Sequence, residues 1–185
     1  FKNGLIFNDI VYGKIEVEKP VLIQLIESPT LTRLKKFSNY GIPDRYYHHK
    51  GFSRFEHSLG VMFLLKRLGA SVEEQATGIL HDASILAFSH VSDWVFAKGA
   101  QGIEDYHDSI HEKYLSETEI PDILERRGLS PQRVFNLGNF SLLERDSPDL
   151  CADRVDYSLR EIALCYSQSV ACKSAKRPNW TFLLG

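Results

Sequence analysis

The sequence predicts a mostly helical domain with one short hairpin at its N-terminus. Three observations lead there. From Pro20 to Ile162, apolar residues recur at helical spacing in segments punctuated by Ser, Pro and Gly. Only the stretch up to Val17 is short, β-branched and broken by turn residues. No internal repeat, low-complexity segment or linker divides the 185 residues. They read as one domain, with the hairpin over about 1–18 and the helical core over about 20–165.

Composition narrows the function classes. At 43% hydrophobic and 25% charged, the chain can bury a core without disulfide staples. A net charge of -2 gives no basic surface that would make nucleic acid an obligatory partner. No apolar run reaches membrane-spanning length and no signal peptide opens the sequence, so a cytoplasmic protein is expected. Cys151, Cys165 and Cys172 lack zinc-ligand spacing and read as reduced thiols. A homo-oligomer is left open.

Taken in order, Leu5-Ile6-Phe7 and Val11 to Val17 form the expected hairpin, broken at Asn8-Asp9 and Tyr12-Gly13-Lys14. The competing reading is an irregular N-terminal arm. Pro20 suits the first turn of a helix carrying Val21, Leu22, Leu25 and Ile26, which stops at Ser28-Pro29. Thr30 is expected to cap a second short helix with Leu31, Leu34 and Phe37. A loop follows over 38–44, and His48 and His49 read as exposed loop imidazoles. From Ser53 a strong helix begins, with a stripe of Leu59, Met62, Phe63, Leu65 and Leu68 that ends at Gly69.

Ser71 and Glu74 form an expected capping box for the next helix, whose Ala76, Ile79 and Leu80 lead to His81 and Asp82. A helix is expected over Phe88 to Phe96 and another around His107 and His111. Ile120 to Arg127 reads as a helix stopped by Gly128, and Ser130-Pro131 opens one more. Leu137 to Leu143 is loop-like, and Pro148 to Ile162 is the last strong helix.

The chemistry-bearing residues sit inside these apolar segments. His57, the adjacent pair His81-Asp82 and the distant Asp153 supply two imidazoles and two carboxylates. That set suits a divalent ion acting as a Lewis acid. In each segment an unpaired polar side chain would be costly. On a helix His81 and Asp82 point about 100° apart. They converge only if that helix faces the site squarely and His57 arrives from a neighbour. For Asp153 the helix alone favours a solvated face, or an ion pair with Arg154 or Arg160. His90 and Asp93 share a helix face, three residues apart. A second metal at His107 and His111 lacks a third ligand.

Together these segments resemble the HD-domain metal-dependent phosphohydrolases. The nearest branch holds the deoxynucleoside triphosphate triphosphohydrolases and uncharacterised bacterial relatives. The resemblance spans about Leu22 to Glu161. It is carried by Leu25-Ile26-Glu27-Ser28-Pro29 with Arg33-Leu34, by Arg54-Phe55-Glu56-His57-Ser58-Leu59-Gly60-Val61, by Leu80-His81-Asp82, by Phe88-Ser89-His90, by His111-Glu112, and by Asp153-Arg154-Val155-Asp156-Tyr157 with Arg160. It implies an all-α HD-domain bundle with a small N-terminal β-hairpin. His57, His81, Asp82 and Asp153 match the family's metal ligands. Arg54 matches a residue contacting substrate phosphate. His90 and Asp93 match side chains lining the reacting phosphate, with proton-transfer roles. His111 matches a further phosphate-facing His, with His107 as the fallback. Arg154 and Tyr157 match positions holding the nucleotide's phosphates and sugar.

One position departs from the pattern. Members of this branch usually carry a His three residues after His-Asp, and Ile85 stands there. Isoleucine can neither donate a hydrogen bond nor transfer a proton. The leading reading is a phosphohydrolase for a nucleotide or related phosphoester, using Mn, Fe, Ni, Mg or Zn. The donor set does not choose among these ions. The rival is a regulatory or assembly module that binds nucleotide or metal and has weakened catalysis.

Overall fold

The chain forms a mostly helical bundle with a two-stranded antiparallel hairpin at its N-terminus. The computed structural model describes residues 4–42, 46, 51–86, 106–145 and 148–165, without the side chains of 106–109 and 165. The expected helix over Phe88 to Phe96, with His90 and Asp93, lies outside the described residues. So do His48, His49 and the side chain of His107.

Strands β1 (Leu5–Asp9) and β2 (Gly13–Val17) pair from Leu5↔Val17 to Asp9↔Gly13. The first strand runs through Asn8-Asp9 rather than breaking there. The Asp9 carboxylate makes the turn, its Oδ1 accepting from the Val11 and Tyr12 N–H groups at 2.8 and 3.0 Å. Gly13, at φ 72°, supplies the left-handed residue that the turn needs.

Helix α1 (Pro20–Glu27) ends at Ser28, and the same residue opens α2 (Pro29–Thr32). Ser28 Oγ accepts from the Leu31 N–H at 3.2 Å, so Ser28 is the cap expected of Thr30. Pro29 fills the first helical position. Thr30 instead gives its N–H and hydroxyl to Glu119, at 2.9 and 3.0 Å. The helix then tightens into a 3₁₀ turn over Arg33–Lys36, leaving Phe37 extended.

Helix α3 (Arg54–Arg67) is the centre of the bundle, buried on nearly every face from Arg54 to Leu65. Ser53 and Glu56 close a full capping box at its start. Phe7 and Tyr12 of the hairpin lie 5.5 and 6.3 Å from the Phe63 ring. Burying such an aromatic contributes about 1.5–3 kcal/mol, enough to dock the hairpin on α3. Lys66 and Arg67 add bonds to the Glu16 and Tyr12 carbonyls.

Helix α4 (Val72–Leu80) packs along α3. Only half of its expected capping box forms. Ser71 Oγ accepts from the Glu74 N–H at 3.1 Å, but the Glu74 carboxylate turns to the Leu142 N–H, also at 3.1 Å. Helices α5 (Tyr106–Ser116), α6 (Ile120–Glu125) and α7 (Pro131–Phe135) close the far side. A 3₁₀ turn follows over Leu137–Asn139.

The last helix, α8, runs Ala152–Cys165 and starts four residues later than expected. The Leu142 and Leu143 carbonyls take the Ala152 and Asp153 N–H groups at 2.8 and 3.4 Å, which satisfies its first turn by tertiary contact. No described helix is long and apolar enough to cross a membrane.

At Gly60, α8 packs directly against the backbone of α3. A Cβ there would lie 2.0 Å from Asp156 Oδ1 and 2.1 Å from Arg160 Nη2. Both side chains are buried and bonded, so neither can swing aside. Replacing a helical Gly by Ala ordinarily gains up to about 1 kcal/mol. Overlap at this contact outweighs that gain. Gly60→Ala is expected to destabilise the protein by about 1–3 kcal/mol, read as a lower denaturant midpoint.

Candidate metal centre

The start of α3 sets the first donor. The Ser53 and Glu56 cap fixes the helix origin, placing Arg54 in its first turn and His57 one turn later on the same side. His57 is 2% exposed, and both its nitrogens face carboxylates. Nε2 lies 2.7 Å from Asp153 Oδ1 and Nδ1 lies 2.8 Å from Asp156 Oδ2.

The second pair comes from the end of α4. His81 is the C-cap residue, with Asp82 in the turn beyond it. His81 keeps helical dihedrals (φ -53°, ψ -38°), and just beyond it the chain tightens, the Ala83 N–H donating to the Leu80 carbonyl at 2.8 Å. The His81 Nδ1–H donates to the Gly78 carbonyl at 2.8 Å, leaving Nε2 as a lone-pair donor. This nitrogen is buried without a hydrogen-bond partner, 3.5 Å from Asp153 Oδ1 and 3.6 Å from Asp82 Oδ2. The fourth side chain, Asp153, sits in the first turn of α8. It faces the imidazoles rather than Arg154 or Arg160.

The donor chemistry fits a divalent ion. The imidazole–carboxylate separations run from 2.7 Å for His57 Nε2 and Asp153 Oδ1 to 3.9 Å for His57 Nε2 and Asp82 Oδ2. Neighbouring ligands held about 2.0–2.2 Å from one ion have similar separations. His57, His81 and Asp153 form the tightest set, with donor atoms all within 4.8 Å of one another. Asp82 is drawn partly to Arg54, whose Nη1 donates to its Oδ2 at 2.8 Å while Nη2 reaches the Asn39 carbonyl at 3.2 Å.

Glu144, Cys151 and Asp153 make a second group of similar size. Burial pushes the Glu144 carboxyl and the Cys151 thiol up toward their neutral forms, so this group holds a cation less well. Cys151 is a buried free thiol, while the side chains of Cys165 and Cys172 lie outside the described residues.

The electrostatics follow from crowding. Burial disfavours the His57 imidazolium, but Asp153 and Asp156 on either side outweigh it and lift its pKa to about 10. Burial likewise opposes charge on His81, and Asp82 overcomes it, raising His81 as well. For Asp82 burial works upward, but Arg54 and the two imidazoles hold the carboxyl well below its usual range. Burial of Asp153 is outweighed in the same direction by its hydrogen bond with His57 and by the charge of both imidazoles.

A cleft of about 330 Å³ opens onto these groups, lined by Asn39, Tyr40, Arg54, His57, Asp153, Arg154 and Tyr157. Arg154 is braced by the Asp149 and Arg145 carbonyls and lies 3.4 Å from Glu144. Tyr157 is 44% exposed on the cleft wall. His111, on α5, is buried, with its Nδ1 3.1 Å from Ser84 Oγ. Ile85 is packed in the core, and its carbonyl accepts from Arg33.

Residue-by-residue reading assigned no role to Asp156, Asp9 or Asn39. The signal for Asp156 was present. Asp153, Asp156 and Arg160 recur at helical spacing on one side of α8, where solvated charges would have faced away from Val155 and Leu159.

The HD domain profile matches residues 54–155, a span that holds all four donors. Uncharacterized protein YdhJ of Bacillus subtilis is 42% identical over 156 residues, covering 84% of this chain and 47% of that protein. Metal-dependent phosphohydrolase cns2 of Cordyceps militaris is 38% identical over 159 residues, covering 86% and 45%. The deoxynucleoside triphosphate triphosphohydrolase SAMHD1 of Gallus gallus is 29% identical over 144 residues, covering 67% and 23%. The chain therefore spans less than half the length of these curated relatives. A crystal structure of a hypothetical protein from Aquifex aeolicus shares the fold, with a TM-score of 0.69 and 24% identity over 91% of this chain and 50% of that one.

The His57 pKa carries a pH prediction for protein stripped of metal by a chelator. Its value rises from 6.5 unfolded to about 10 folded. The stabilisation is complete below pH 6.5 and is lost as pH rises through the folded value. Thermal melts should therefore show the midpoint falling from about pH 7 to about pH 10. Asp153→Asn should flatten that fall, and so should a saturating divalent cation that takes the proton's place.

Proposed function

The chain belongs to the HD domain family, and from that premise we propose that it is a metal-dependent phosphohydrolase acting on a nucleotide or related phosphoester. The observation that carries the reading is the buried, unpartnered Nε2 of His81, directed at the same acids as His57 Nε2. In this reading His57, His81, Asp82 and Asp153 hold one divalent cation. When bound, such an ion polarises a phosphoryl oxygen and lowers the pKa of its water.

The chain's own residues do the rest. Arg54 keeps Asp82 ionised and oriented, and adds positive charge at the head of the cleft. Arg154, at the cleft wall, offsets phosphate charge by paired N–H bonds. Tyr157 offers a ring and a hydroxyl for a sugar or base. His111, steadied by Ser84, together with His90, Asp93 and His107, supplies the proposed proton-transfer and phosphate-facing groups. Likeness to a relative named for hydrolysing deoxynucleoside triphosphates supports a nucleotide as substrate. Likeness to one named as a metal-dependent phosphohydrolase supports the reaction class.

Ile85 favours a second reading. A buried aliphatic side chain two residues beyond Ala83 puts no proton carrier where the branch usually has one. The chain would then bind metal and nucleotide with weakened turnover.

Two measurements test these readings. His57→Ala and Asp153→Ala should each lose bound metal by elemental analysis, and retention of metal in both would refute the ligand assignment. A panel of nucleotides and phosphoesters, assayed with several ions, should show turnover by the natural chain. Binding without turnover, together with a gain of about 10²–10⁴-fold in Ile85→His, would establish the weakened module instead.

A further inference from the structure

His57 is tied to the hairpin by an unbroken line of charged hydrogen bonds. Its Nδ1 meets Asp156 Oδ2 at 2.8 Å. The same oxygen accepts from Arg160 Nε at 2.8 Å, and Arg160 Nη2 donates to Asp9 Oδ2 at 2.8 Å. Asp9 is itself locked, since its other oxygen takes the Val11 and Tyr12 N–H groups. The Arg160 guanidinium lies 6.0 Å from the Tyr12 ring, within cation–π range.

This line is costly if its only purpose is adhesion. Arg160 and Asp156 are almost fully buried. Buried ion pairs often stabilise no better than apolar residues of the same shape. What the ion pairs add is direction. A planar guanidinium bonded to two carboxylates fixes their separation and orientation. Asp156 then presents one oxygen to the imidazole from a single angle.

We propose that Arg160, anchored by Asp9 of the hairpin, is a positioning residue for His57. It holds Asp156 so that His57 keeps Nδ1–H toward Asp156 and Nε2 toward the candidate cation. This rests on the metal reading above. Partners of this kind orient a ligating His and set its basicity, and their loss weakens metal binding about 10–100-fold.

The test uses the full chain, depleted of metal and titrated with Co²⁺ while visible absorption is followed. Asp9→Asn keeps an oxygen for the turn N–H groups but loses the charge facing Arg160. It should weaken Co²⁺ about tenfold. Arg160→Gln should weaken it about 10–100-fold, and Arg160→Lys, which keeps the charge but loses the planar fork, should fall between it and the natural protein. Thermal melts of the metal-depleted variants report folding separately, and ¹⁵N ring spectra of the Zn²⁺-loaded proteins report which His57 nitrogen keeps its proton. With Zn²⁺ bound, the natural ring should show Nδ1–H, and in Asp9→Asn the two tautomers should mix. If Arg160→Gln does not fold, Asp9→Asn decides. Folded variants that bind Co²⁺ within about twofold of the natural protein and keep a pure tautomer would overturn the positioning role. Failure of the natural chain itself to take Co²⁺ would overturn the metal reading beneath it.

Discussion

The constraint on which the structure depends is the burial of an imidazole between two acids. His57 lies inside the bundle with Asp153 on one nitrogen and Asp156 on the other. Two carboxylates that close to one ring repel each other and have lost most of their water. Such an arrangement persists only where positive charge compensates it. Arg160 provides that charge for Asp156, and the His57 and His81 imidazoles provide it for Asp153. Much of the fold can be understood as the scaffolding that keeps these countercharges in place.

Close approach of α3 and α8 is the first requirement. It demands a residue without a side chain at position 60, because the Asp156 carboxylate occupies the space a Cβ would take. The second is a rigid origin for α3, supplied by Ser53 and Glu56. The third is an end to α4 at His81, so that Asp82 sits in the turn just beyond the helix. Each is a local backbone decision made close to a functional side chain.

Much of this was legible in the sequence. Helical periodicity and the hairpin's short alternating strands were enough for the fold class, and the Arg54–Val61 block signalled the family. Misreadings fell where tertiary partners override local preference. Thr30 reads as a cap, but Glu119, distant in sequence, captures it while Ser28 serves both helices. Glu74 reads as half of a box, but its carboxylate serves Leu142. The last helix reads as starting at Pro148, but its first N–H groups find the Leu142 and Leu143 carbonyls only from Ala152 onward. Asp153 shows the same limit. Its helix alone argued for solvent, and only the arrival of α3 and α4 gives it imidazole partners.

The hairpin has a consequence for modular transfer of this fold. The segment that matches the family profile begins at Arg54 and ends at Val155, just short of Asp156 and far from Asp9. Grafted into another protein, that segment would carry every candidate ligand and leave its clamp behind. The unit that keeps the clamp is therefore bounded by a β-turn and the third turn of a helix, both outside the span that the family profile marks.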